Sequence, residues 1–118
     1  MFAEHIKSVV DNVDGGIGGL IMGLDGIAIE HYVNDKKEFD VNTVGMEFSF
    51  ILTQVRKAGE ILDIGGINEM VVRAEGMTLL VRMVSDEYFL AVVLGSKANF
   101  GKTRFLMRLA ETRIRKDL

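Results

Sequence analysis

Apolar residues at Phe2, Ile6, Val9, Val10 and Val13 form one stripe at helical spacing, which predicts an amphipathic helix running to about Asn12. Gly15-Gly16 interrupts it. An apolar run over residues 17–24 then meets Asp25-Gly26, the pair that best tolerates the positive φ angles of a tight hairpin turn, and a second strand is expected over 27–33. Asp40 can accept hydrogen bonds from the exposed amides of a first turn, which makes it the N-cap of a long helix from Val41 to about Leu62, with Gly65-Gly66 ending it. Beyond the glycines, residues 67–73, 77–84 and 87–94 read as strands joined by turns at Glu75-Gly76 and Ser85-Asp86. A last helix starts near Asn99 or Phe100, with Leu106, Met107, Ala110 and Ile114 on one side. The predicted order is α-β-β-α-β-β-β-α, an α+β fold.

The polarity of the strands constrains their order. Residues 17–24, 77–84 and 88–94 are almost continuously apolar, as strands covered on both faces are, whereas 27–33 and 67–73 carry more polar groups, as edge strands do. The order 2-1-5-4-3 satisfies both conditions. The long helix is apolar on more than one side: Val44, Phe48, Ile51, Leu52, Val55 and Leu62 form one stripe, assigned to the core, while Met46, Phe50 and Ile61 lie off it and are available to a partner. Gly45, Ser49 and Thr53, four residues apart, are small enough to allow a second helix to approach closely.

A chain of 118 residues fits one domain, 1–118, and 48% apolar with 26% charged residues is the composition of a packed fold. The absence of cysteine excludes disulfides, thiolate metal sites and thiol nucleophiles, and makes the reducing cytoplasm the expected location. The start, Met1-Phe2-Ala3-Glu4-His5, lacks the basic flank and apolar segment of a signal peptide, and charges recur too often for a membrane span. The net charge of −3 is unevenly spread. Residues 96–118 carry seven basic side chains against Glu111 and Asp117, a surplus of five, which leaves −8 on the remainder. No aromatic residue is interleaved with the last four cations to stack bases, so a solvated helix face is favoured over a nucleic-acid site.

The chemical signals are few. Gly101-Lys102-Thr103 follows an apolar strand and opens a helix as a phosphate loop does, but the motif requires glycine at position 96, where Ser96 stands. The expected role is structural, with Gly101 at a tight helix entry. His5 and His31 show no ligand spacing to carboxylates for a metal, Ser8, Ser49, Ser85 and Ser96 show no nucleophile motif, and Asp35 with Glu38 reads as a solvated charged loop. Arg82, in an otherwise apolar strand, must reach the surface or find a partner, either as a structural ion pair or as a GTPase-activating finger.

Residues 15–33, GGIGGLIMGLDGIAIEHYV, resemble the first hairpin of the roadblock/LC7 family, and residues 98–111, ANFGKTRFLMRLAE, are similar to the entry into that family's last helix. Within the family, SVVDNVDGG, LTQVRKAGEIL, RMVSDEYFL and NFGK look more like bacterial MglC-type adaptors than MglB-type activators. The resemblance implies a five-stranded antiparallel sheet with the long helix on one face and the terminal helices on the other. It also implies a homodimer in which third strands pair and long helices pack together. An unpaired edge strand is itself a template for another strand, and the interface candidates are Met46, Phe50, Ile61, Met70 and Val72. The implied function is that of a non-enzymatic adaptor in a Ras-like small-GTPase polarity or motility module, with no cofactor. Its partners would be an MglB-type roadblock regulator and, through it or directly, the GTPase or other regulators. A direct MglB-type activator and a small-ligand sensor are the alternatives.

Overall fold

The structure, a computed structural model, describes residues 1–34 and 39–118, so the Asp35 and Glu38 carboxylates lie outside the described residues. The elements are α1 (Phe2–Val10), β1 (Gly16–Gly23), β2 (Ala28–Val33), α2 (Val41–Leu62), β3 (Glu69–Arg73), β4 (Thr78–Met83), β5 (Tyr88–Leu94) and α3 (Phe100–Asp117). All pairings are antiparallel and the order is β2-β1-β5-β4-β3, as strand polarity predicts. The three apolar strands are central and buried, whereas β2 and β3 are only partly covered.

Because β1, β4 and β5 alternate large apolar side chains to both faces, the sheet builds two cores. On one face Ile6, Val9 and Val10 of α1 and Met107, Ala110 and Ile114 of α3 close over Ile21, Leu80, Leu90 and Val92. On the other, Val41 and Leu52 of α2 close over Leu20, Met22, Leu79, Phe89 and Val93. The chain is therefore a three-layer sandwich with the long helix alone on its side.

Local chemistry sets the element ends. Asp40 caps α2, accepting the Thr43 N–H at 3.1 Å and the Thr43 hydroxyl at 2.6 Å; these bonds hold its carboxyl below the usual range. The helix ends at Leu62 as expected, but the residue that closes it differs from expectation. Asp63, not a glycine, takes the left-handed conformation at φ 54, and the Ile64 N–H reaches back to the Gly59 carbonyl at 3.1 Å, completing a Schellman closure two residues before Gly65. Aspartate tolerates this conformation better than most residues. The first hairpin also differs: only Gly26 has positive φ, with Gly26 N–H on the Gly23 carbonyl and Gly23 N–H on the Ile27 carbonyl. The loop thus spans three residues, 24–26, with its glycine last, and Asp25 serves by accepting the Ile27 N–H at 3.0 Å.

Helix α1 stops at Val10, earlier than the apolar spacing suggests, because the chain must fold back into β1 at Gly16. A Cβ at Gly16 would stand 2.1 Å from the Val10 carbonyl oxygen and 3.1 Å from that of Val13, both backbone atoms that cannot step aside. Gly16→Ala should therefore cost at least about 1–3 kcal/mol and lower Tm by about 4 °C or more. Thermal unfolding followed by circular dichroism checks this, and an unchanged Tm would show that the α1–β1 corner is looser than described.

Candidate functional site

The exposed surface of α2 follows from how the helix is rolled onto the sheet. Its buried positions are Val41, Gly45, Ser49, Leu52 and Gly59. A Cβ at Gly45 would lie 2.5 Å from Leu20 Cδ2 and 2.8 Å from Met22 Cε, so this glycine seats α2 against its own sheet. Ser49, only 4% exposed, closes its hydroxyl on the Met46 carbonyl at 2.7 Å. Thr53 is half-buried and bonds the Ser49 carbonyl. The expectation that this small-residue line faces a second helix is thus corrected: it is consumed within the protomer.

With small residues at the contact line, the larger ones move to its shoulders or beyond. Of the expected core stripe, Leu52 is buried and Val44, Phe48 and Val55 are half-buried, but Ile51 and Leu62 are exposed. Met46, Phe50 and Ile61 are exposed as expected, at 59%, 67% and 84%. Together with Ile64 just past the helix, six large apolar side chains lie in water, interspersed with Glu47, Gln54, Lys57 and Glu60. Sequence reasoning missed Ile51, Leu62 and Ile64 because it assigned the core to the largest side chains; the usable signal was the Gly45–Ser49 line.

Met70 and Val72 lie on the same side of the sheet but at its far edge. They are half-buried against the core beneath α2, which itself packs chiefly on β1 and β2. The structure therefore places the five candidates on one side of the sheet without joining them into one patch: three on the outer face of α2 and two on β3. β3 pairs only with β4 among the described strands. Bonds between Asn68 and Met83 and between Ala74 and Met77 set the alternation. Hence Met70 and Val72 exchange bonds with β4, and the N–H and C=O groups of Glu69, Val71 and Arg73 point to the open edge.

The other chemical candidates resolve into structural roles. Arg82 donates through Nε to Glu111 of α3, which also accepts from Arg115, whose own Nε bonds the Val84 carbonyl at 2.9 Å. This is the structural ion pair, and it turns the guanidinium toward α3. At Gly101-Lys102-Thr103, Asn99 caps α3 by accepting the Lys102 N–H at 3.0 Å, and the fully buried Thr103 hydroxyl bonds the Asn99 carbonyl. Gly101 sits inside the first turn with ordinary φ, and a Cβ there would meet only Asn99 Oδ1 at 3.8 Å, so no tight entry requires it. His5 pairs with Asp117 at 2.7 Å, bridging α1 to the end of α3, and His31 is exposed on β2. The Ser8 and Ser85 hydroxyls are engaged with backbone, and Ser96 is exposed. Among the described residues there is no cluster of three potential metal ligands and no helix long and apolar enough to cross a membrane.

Solved structures resemble this chain over nearly its whole length. The crystal structure of MglC from Myxococcus xanthus is 36% identical, covering 99% of this chain and 98% of its own, with a TM-score of 0.73. A roadblock/LC7 domain from Streptomyces avermitilis is 19% identical over 97% of this chain and 94% of its own, at TM-score 0.86. The gliding protein MglB from Thermus thermophilus is 17% identical over 98% and 86%, at 0.87. No family model and no curated protein matches the chain.

One ion pair holds the open edge in place. Arg104 of α3 grips both Glu69 oxygens, Nε at 2.8 and 3.1 Å and Nη2 at 2.6 Å, while its guanidinium lies 5.2 Å from the Phe100 ring centre. Hydrogen bonding from Arg104 holds the Glu69 carboxyl below its ordinary value of 4.5. A carboxyl depressed by folding stabilises the native state above its unfolded pKa and loses that contribution as pH falls through its folded pKa. Since Arg104 is exposed, solvent screens the pair and its contribution to stability is small. Glu69→Gln should then be slightly less stable than the parent at pH 7, with the gap closing as pH drops below 4.5. Urea unfolding across that range measures it, and a gap that widens in acid would contradict the assignment.

Proposed function

The chain belongs to the roadblock/LC7 family, and from that premise we propose that it is a non-enzymatic, dimeric adaptor of a bacterial Mgl-type small-GTPase module. The observation that carries this reading is the 36% identity to MglC over 99% of the chain. In this reading the protein works in the cytoplasm without a cofactor, through contacts with an MglB-type roadblock regulator and with the Ras-like GTPase or its other regulators. The cysteine-free composition fits that compartment. Polarity or motility is the process proposed, since MglB of Thermus thermophilus is named a gliding protein.

The physical support for a dimer is twofold. Exposed Met46, Phe50 and Ile61, joined by Ile51, Leu62 and Ile64, form more apolar surface than a free helix face keeps in water without use. The charges among them are of both signs, Glu47 and Glu60 with Lys57, so a like surface can approach with Lys57 of each copy facing a glutamate of the other. The outward amides and carbonyls of Glu69, Val71 and Arg73 can pair with a second copy of β3, beside Met70 and Val72. Direct activation through an arginine finger on β4 is disfavoured, because Glu111 already holds Arg82.

Full burial of one large apolar side chain contributes about 1.5–3 kcal/mol, which corresponds to about ten- to 150-fold in a dissociation constant. Phe50→Asp or Ile61→Asp should shift the dimer to monomer by at least that factor in light scattering, with Tm of the monomer little changed because both residues are exposed. In parallel, GTP turnover by the cognate GTPase should be unchanged by this protein alone, while an MglB-type regulator binds it in a pull-down. Stimulation of turnover by this protein alone would replace the adaptor reading with the activator one. A rise in Tm with a small metabolite would point instead to a sensor.

A further inference from the structure

Helix α3 presents two unlike faces. Thr103, Met107, Ala110 and Ile114 are buried beneath it. Both of its carboxylates are also drawn toward the protein, Glu111 to Arg82 and Arg115, and Asp117 to His5. At helical spacing the outward face is then left with Lys102, Arg108, Arg113 and Lys116, none of which makes an ion pair among the described residues, and with no carboxylate of its own. Centred among these cations are Phe105, 61% exposed, and Leu109, 45% exposed, one turn apart. With Gly101, Arg104 and Arg108 they line a shallow concavity.

We propose that this face docks an acidic amphipathic helix of a partner protein, apolar side chains against Phe105 and Leu109 and carboxylates toward Lys102, Arg108 and Arg113. The charge pattern selects this occupant. A face of one sign repels a second copy of itself, unlike the mixed-charge face of α2, so a symmetric contact is disfavoured. Two apolar side chains beside a concavity suit the side-chain anchors of a peptide helix, whereas a membrane-surface helix needs a broad apolar face. The surface lies across the sheet from α2 and does not depend on the dimer, so either proposal can fail without the other.

The test uses the full chain and a dye-labelled synthetic helical peptide, with leucines four and three residues apart on one face and glutamates elsewhere. Fluorescence anisotropy should show saturable binding that weakens with added salt. Phe105→Ser combined with Leu109→Ser, and separately Arg108→Glu, should each weaken it by about tenfold or more. A peptide with serines in place of the leucines should lose a similar factor. These side chains are exposed, so unchanged Tm values will confirm that the variants fold. Absence of saturable binding, equal binding of the serine peptide, or indifference to both sets of substitutions would overturn the proposal. So would retention of the protein by phosphatidylserine vesicles without binding of the peptide.

Discussion

The close seating of α2 on the sheet is the contact from which the rest of the surface follows. At Gly45 the helix backbone comes near enough to Leu20 and Met22 that a single added carbon would collide with them, and Ser49 continues the line one turn later. Small residues at the contact leave the larger apolar ones no room beneath the helix. Leu52 finds a place; Ile51, Phe50, Met46, Ile61 and Leu62 do not, and they stand in water. The same feature that packs the core tightly thus produces the apolar surface through which the protein is proposed to associate. A larger residue at position 45 would have to displace the ends of the Leu20 and Met22 side chains beneath it.

The two sides of the sheet are charged to different ends. Around the exposed apolar residues of α2, acidic and basic side chains alternate, a pattern compatible with a copy of itself. On α3 the acids are spent on Arg82, Arg115 and His5, and the outward cations are left without them. The net charge of −3 conceals this division, because the strongly negative remainder offsets the basic last helix. Between the two lies β3, whose side chains at Glu69 and Arg73 engage the α3 layer through Arg104 and Phe100, while its backbone edge stays open. An edge strand tethered by such contacts is better prepared for pairing than one free to fray.

Much of this architecture was legible in the residues. The continuous apolar runs of β1, β4 and β5 place those strands centrally, and the polar interruptions of β2 and β3 place them at the edges, which is enough to order the sheet. Asp40 declares its helix because a short polar side chain caps best where no earlier turn exists, while Asn99 marks only the start of α3 and its capping is seen in the structure. What failed has a common cause. Glycine and small residues are ambiguous in a sequence: the Gly45, Ser49 and Thr53 line suits a partner helix or an underlying sheet equally well, and only the roll of the helix decides. The end of α2 at Leu62 is met, but its closure belongs to Asp63 in the left-handed position and not to Gly65-Gly66. Gly101, read as a necessity, occupies a place that alanine could fill. Periodicity also names the side chains of Met70 and Val72 without revealing that the unpaired backbone belongs to their neighbours.

The central claim, that the protein associates through α2 and the open edge of β3, is tested most directly by amide hydrogen exchange across a concentration series. The amides of Glu69, Val71 and Arg73, which point away from β4, should become protected as the dimer forms, in step with its population. Exchange at those three amides that stays fast while the protein is fully dimeric would place the interface elsewhere and contradict the claim.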